Sequence, residues 1–115
     1  MPSSIQYRSR KQEEKYAKRW EGRRQPASGS RPCQKGDVIT EKYLVELKLT
    51  DKKSYRLETE TLRKIWDEAA KRKKYPVLAI DFMQYGRTQI SCVVLPTWVF
   101  EVMRGNWVEI SIPEE

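Results

Sequence analysis

The sequence predicts a single α/β (α+β) domain built on one mixed β-sheet flanked by helices, and three observations predict it. Leu62, Ile65, Trp66, Ala69 and Ala70 recur at i, i+3, i+4, i+7 and i+8, one stripe of an amphipathic helix over residues 59–74. Pro76 then opens a nearly continuous apolar run, residues 77–82, of the kind a strand buried on both faces requires. Before the helix, Tyr43, Val45, Leu47 and Leu49 alternate with Leu44, Glu46 and Lys48, as strand side chains do on opposite faces of a sheet. A strand, a helix and a second strand in that order make a layered fold, and 115 residues suffice for one such core.

The remaining elements follow along the chain. Residues 1–8 read as a flexible basic arm and residues 9–115 as the domain. Ser9 and Gln12 have capping-box spacing, and Tyr16, Ala17 and Trp20 share a face, which predicts a helix over residues 9–21 stopped by Gly22. Residues 22–36 carry Gly22, Pro26, Gly29, Pro32 and Gly36, an irregular loop long enough to suggest function. Strands at 37–40 and 43–49 are separated by Glu41-Lys42, hairpin spacing without the usual glycine. A short further strand is expected at 55–57. Gly86 turns the buried strand into a hairpin partner at 88–95. Pro96-Thr97 opens a short helix closed by Gly105, and residues 106–112 read as an edge strand. The expected order is α-β-β-(β)-α-β-β.

Composition limits the chemistry. The chain has no histidine, which excludes Ser-His-Asp and Cys-His catalytic sets, and two cysteines, Cys33 and Cys92, which cannot form a zinc site by themselves. No long apolar run and no leader-like segment occur, so a cytoplasmic protein with reduced thiols is expected. Carboxylate and lysine chemistry, hard oxygen-bound cations and electrostatic binding remain. The charge is uneven: residues 1–35 hold ten Lys and Arg against three acids, whereas residues 36–115 hold thirteen of each, so the net +7 sits in the first third. Such a block is either a solvated arm or a polyanion-binding surface. Tyr7, Tyr16 and Trp20 interleave its cations, and no amphipathic helix with a large apolar face accompanies them, which favours nucleic acid over a membrane surface. Arg10, Lys11, Arg23, Arg24, Arg31 and Lys35 are the candidate phosphate contacts.

Other side chains have plainer readings. Trp66 lies on the apolar stripe and packs in the core, and Lys71-Arg72-Lys73-Lys74 is a helix end favoured by the dipole. Trp98, Phe100 and Trp107 exceed what one small core needs, so some cover a partner subunit. Asp81, inside the apolar run, either faces solvent at the strand end or holds a basic group.

The segment that concentrates chemistry is 36–48. Glu46 and Lys48 lie two apart in a hydrophobic strand and share a face, while Asp37 begins the neighbouring strand, so three charges can converge. Dehydrated ions cost several kcal/mol each unless paired or metal-bound. An ordinary Glu-Lys pair on a solvated face fits the same spacing.

Asp37 followed by Glu46-x-Lys48 resembles the bipartite motif of the PD-(D/E)xK nuclease superfamily, closest to its archaeal and phage-type Holliday-junction resolvases, over residues 9–83. Glu13 resembles the glutamate that family carries on its N-terminal helix, with Glu14 as the neighbouring candidate. Ser28-Gly29-Ser30 resembles its Gly/Ser loop, and residues 76–80 its buried strand. Gly36-Asp37 departs from the family's Pro-Asp. The resemblance implies a restriction-endonuclease-like core and a Mg²⁺ site, with Mn²⁺ able to substitute, formed by Asp37, Glu46, the backbone carbonyl of Leu47 and Glu13. It implies that Lys48 orients the attacking water and offsets charge on the phosphate. Ser28 and Ser30 would contact the DNA backbone.

The function expected on this basis is a metal-dependent, structure-selective DNA endonuclease resolving four-way junctions, active as a homodimer in a microbial cell or phage-infected host. The alternatives are a nickase or single-strand nuclease of the same fold, and a non-catalytic basic nucleic-acid-binding module in which Glu46 and Lys48 merely pair.

Overall fold

The computed structural model describes residues 4–24 and 37–108. The elements in chain order are α1 (Ser4–Arg19), β1 (Arg23–Arg24), β2 (Asp37–Ile39), β3 (Tyr43–Thr50), α2 (Thr59–Lys71), β4 (Tyr75–Gln84), β5 (Arg87–Val94) and α3 (Thr97–Val108). The strands form one mixed sheet in the order β1-β2-β3-β4-β5. Three neighbouring pairs are antiparallel, and β3 and β4 run parallel because α2 carries the chain back across the sheet between them. The expected α+β class and mixed sheet are therefore present.

Local chemistry explains the turns. The β4–β5 hairpin closes through Tyr85 (φ 54) and Gly86 (φ 73), two consecutive left-handed residues that match the twist of the flanking strands. Thr40 replaces the missing glycine between β2 and β3: its Oγ1 accepts from the Tyr43 N–H at 2.9 Å, and its own N–H donates to the Tyr43 carbonyl at 2.9 Å. Lys74 Nζ then donates to the carbonyls of Thr40 (2.9 Å) and Glu41 (2.6 Å), satisfying acceptors that a two-residue loop leaves open.

Each face of the sheet carries one helix. Against α1, Tyr16 packs on Val38, Val45, Leu47, Val77 and Ala79, with Ala17 and Trp20 at the margin. Against α2, Ile65 meets Leu78 and Ile80, and Ala69 meets Ile39 and Leu44. Trp66 flanks this second layer with Leu62 and Tyr55, as its place on the stripe predicts. Strand alternation thus assigns Asp37, Glu46 and Lys48 to the α2 side.

Several boundaries differ from expectation. Helix α1 starts at Ser4, so residues 4–8 are helical rather than an arm, and Arg8 is tied to Asp51 at 2.5 Å. Ser9 therefore lies inside the helix, and Gln12 reaches into the sheet instead of back to a cap. The helix ends at Arg19, ahead of Gly22, by a Schellman arrangement whose left-handed residue is Glu21 (φ 55), with the Gly22 N–H donating to the Ala17 carbonyl at 2.8 Å. Gly22 serves a different need: a Cβ there would stand 2.7 Å from the Ile39 carbonyl oxygen. The additional strand lies at Arg23–Arg24, inside the expected loop and paired with β2, whereas residues 55–57 form no strand. Helix α3 passes through Gly105 to Val108, so residues 106–108 are helical, and the rest of the expected edge strand lies outside the described residues. No helix among the described residues is long and apolar enough to cross a membrane.

Candidate functional site

The β2–β3 register places Asp37 directly opposite Glu46. Both carboxyl groups project toward α2, and Asp37 is 3% exposed although it opens its strand. Their proximity follows from the pleat, since directly paired residues of an antiparallel ladder hold their Cβ atoms about 5 Å apart. On the same face, Lys48 Nζ lies 3.2 Å from Glu46 Oε2. The three ionisable side chains expected from the sequence thus form a continuous row, with Asp37 deepest and Lys48 nearest to solvent.

The electrostatics of the row are unbalanced. Burial pushes the Asp37 carboxyl up to about 10, reinforced by its hydrogen bond to Glu46 and by the Glu46 charge, against a smaller opposing influence from Arg72. Asp37 Oδ1 is buried with no hydrogen-bond partner among the described residues. Two facing carboxyl groups can share a proton, or they can both ionise around a cation. An orphaned carboxylate oxygen beside a second carboxylate suits a hard cation such as Mg²⁺, which takes one or two carboxylates and keeps several waters. These residues therefore fit the divalent cation implied by the resemblance. Among the described residues, no group of three or more His, Cys, Asp or Glu side chains could hold a metal ion, so the fit rests on the Asp37–Glu46 pair.

The other expected site residues are placed as follows. Leu47 directs its side chain into the α1-side core, leaving only its main chain to serve a site on the α2 side. Glu13 is buried on α1, a helix packed on the opposite face from Asp37 and Glu46, and Glu14 is exposed. Arg10 and Lys11 are exposed on α1, with Lys11 Nζ 5.5 Å from the centre of the Tyr7 ring. Arg23 is exposed and Arg24 contributes backbone to β1, while Ser28, Ser30, Arg31 and Lys35 lie outside the described residues. Two contributors were missed. Glu68 on the last turn of α2 and Arg72 just past its end, joined at 3.1 Å, set part of the field at Asp37. Their i,i+4 spacing was legible, but their proximity to Asp37 depends on how α2 lies over β2.

Asp81 resolves in favour of a bonded interior acid. It is 1% exposed and accepts from Tyr16 Oη at 2.7 Å, Gln12 Nε2 at 3.2 Å and Lys15 Nζ at 3.4 Å. Tyr16 Oη also meets Ser91 Oγ at 2.5 Å, and Gln12 Nε2 donates to the Lys48 carbonyl at 2.9 Å. This network fastens α1 to β3, β4 and β5.

Compared with known proteins, the chain matches no family model, no curated protein and no solved structure.

Proposed function

We propose that the chain is a Mg²⁺-dependent DNA endonuclease with a restriction-endonuclease-like core, in which Asp37 and Glu46 hold the metal and Lys48 assists hydrolysis. The observation that carries the reading is the buried Asp37–Glu46 pair in direct register with Lys48 beside Glu46. The strand order, with β3 and β4 parallel across α2, agrees with the core that the motif resemblance implies.

A bound divalent cation supplies Lewis-acid polarisation of a phosphodiester and a lowered pKa for an attacking water. The chain's own residues do the rest. Asp37 and Glu46 fix the cation's position, and α2 shields that side of the sheet from bulk water, which strengthens electrostatics there. Lys48 is partly exposed beside Glu46, and in this reading it donates a hydrogen bond to water or to a phosphate oxygen and offsets charge developing on the phosphate. Arg10, Lys11 and Arg23 offer exposed cations for the backbone without reading bases. Branched DNA with two equivalent strands is the favoured substrate, because one protomer with one site makes one incision and a two-fold pair makes two.

The test is a synthetic four-way junction, a linear duplex and a single strand incubated side by side with Mg²⁺ or chelator. The reading expects Mg²⁺-dependent cutting of the junction, lost in Asp37→Asn and Glu46→Gln while junction binding persists. Wild-type protein that binds all three and cuts none would favour a nucleic-acid-binding module, a reading the close Glu46–Lys48 ion pair also accommodates.

A further inference from the structure

We infer that β5 is a self-association edge, pairing antiparallel with β5 of a second copy across a two-fold axis to make one continuous sheet. The nuclease reading calls for a two-fold pair without saying which surface makes it; the observations on β5 are independent of that reading and name the surface.

The two outer strands of the described sheet differ sharply. β1 is two arginines long, with Arg23 exposed, which suits an edge that resists pairing. β5 has eight residues, exposed from Arg87 to Val93, and no strand among the described residues pairs with its outer edge. It lacks the usual protection of edge strands: residues 88–94 contain no charge, no proline and no glycine. Its apolar side chains emerge on both faces, with Ile90 60% and Val93 49% exposed. A strand with bare apolar groups on both faces and an open hydrogen-bonding edge resembles an interior strand without its neighbour.

Charge selects the occupant. Residues 88–100 are the longest uncharged run in a chain whose formal net charge is +7. Two copies of a strongly basic protein repel each other except through a surface free of charge, and a nucleic acid or acidic protein would be drawn to the cationic residues instead. An antiparallel strand is also its own complement under two-fold rotation, so one patch serves both subunits and the assembly closes at two. The uncharged run continues onto α3, where Trp98 and Phe100 are about half exposed, and a groove of about 550 Å³ opens beside it, lined by Val77, Val93, Leu95 and Met103 and bordered by Glu21, Glu41 and Lys42. Pairing through β5 would extend burial over this adjoining surface.

The decisive experiment is sedimentation equilibrium of the full chain, without DNA or metal, on wild type and on the double variant Ile90→Lys/Val93→Lys. Both positions are exposed in the isolated chain, and circular dichroism with a melting curve checks that the fold is retained. Wild type is expected at twice the mass of one chain, and the variant should dissociate with affinity about a hundredfold weaker, since like charges then face each other across the axis. Monomeric wild type at the highest soluble concentration would overturn the inference, as would a dimer indifferent to the two lysines. Neither result depends on whether the chain cuts DNA.

Discussion

Two aspartates lie almost fully buried on opposite faces of one sheet, and their surroundings differ in kind. Asp81, on the α1 side, accepts from a phenol, an amide and an ammonium group. Asp37, on the α2 side, faces another carboxyl group and leaves Oδ1 without a partner among the described residues. A buried acid that serves the fold has its hydrogen-bonding capacity met. One held against a like group costs stability and persists in natural sequences chiefly where that arrangement serves binding or chemistry. The contrast marks Asp81 as architecture and supports the proposal that Asp37 belongs to a site.

The largest effect should come from breaking the satisfied side. Asp81→Ala strands the Tyr16 hydroxyl and the Gln12 amide in the interior and should lower stability by about 3 kcal/mol in urea unfolding, with the slope unchanged. A loss below about 1 kcal/mol would mean that the network contributes little. Next, Lys48→Ala should reduce Mg²⁺-supported cutting by about a hundredfold while leaving Mn²⁺ affinity nearly intact, because the side chain acts on developing charge rather than on the cation. Equal turnover would remove Lys48 from the reaction.

Asp37→Asn should act in the opposite sense from Asp81→Ala and stabilise the metal-free protein. The folded-state pKa of Asp37 lies above its ordinary value, so its contribution is fully present below about pH 4 and is lost as pH rises toward 10, where the unfolded chain ionises first. The amide cannot ionise and can donate to Glu46. In chelator at pH 8 the variant should gain about 1 kcal/mol, and the gain should vanish near pH 4. A variant less stable than wild type at pH 8 would show that the carboxyl pair is not strained.

The smallest effect is at the surface. Arg8 holds the exposed Asp51 carboxyl below its usual value, which adds stability above about pH 4 that is lost as pH falls through the lowered pKa. Asp51→Asn should therefore shift the melting temperature slightly at pH 7 and low salt, and not at all in 1 M NaCl. A shift that survives salt would assign Asp51 a role beyond this ion pair.

The satisfied and strained sides were not equally legible in the sequence. Period-two alternation over residues 43–49 was enough to place Glu46 and Lys48 on one face, and the hairpin spacing brought Asp37 beside them. Strand register is strongly determined wherever one face is buried, so local pattern sufficed. Asp81 was ambiguous because its partners Gln12, Lys15 and Tyr16 lie more than sixty positions away, and only the crossing of α1 over the sheet unites them. Helix ends were misread where a left-handed residue was not glycine, as at Glu21 and Lys73. The small strand at Arg23–Arg24 carried no apolar pattern of its own and exists because β2 offers an edge. The extension of α3 past Gly105 reflects a site where glycine meets no steric demand.

Isothermal titration of the metal-free protein with Mn²⁺ bears most directly on the contrast between the two aspartates. Wild type and Lys48→Ala should each show one saturable binding event, and Asp37→Asn none. Heat of equal size in wild type and Asp37→Asn, or no binding in wild type, would contradict the assignment of the Asp37–Glu46 pair as a cation site.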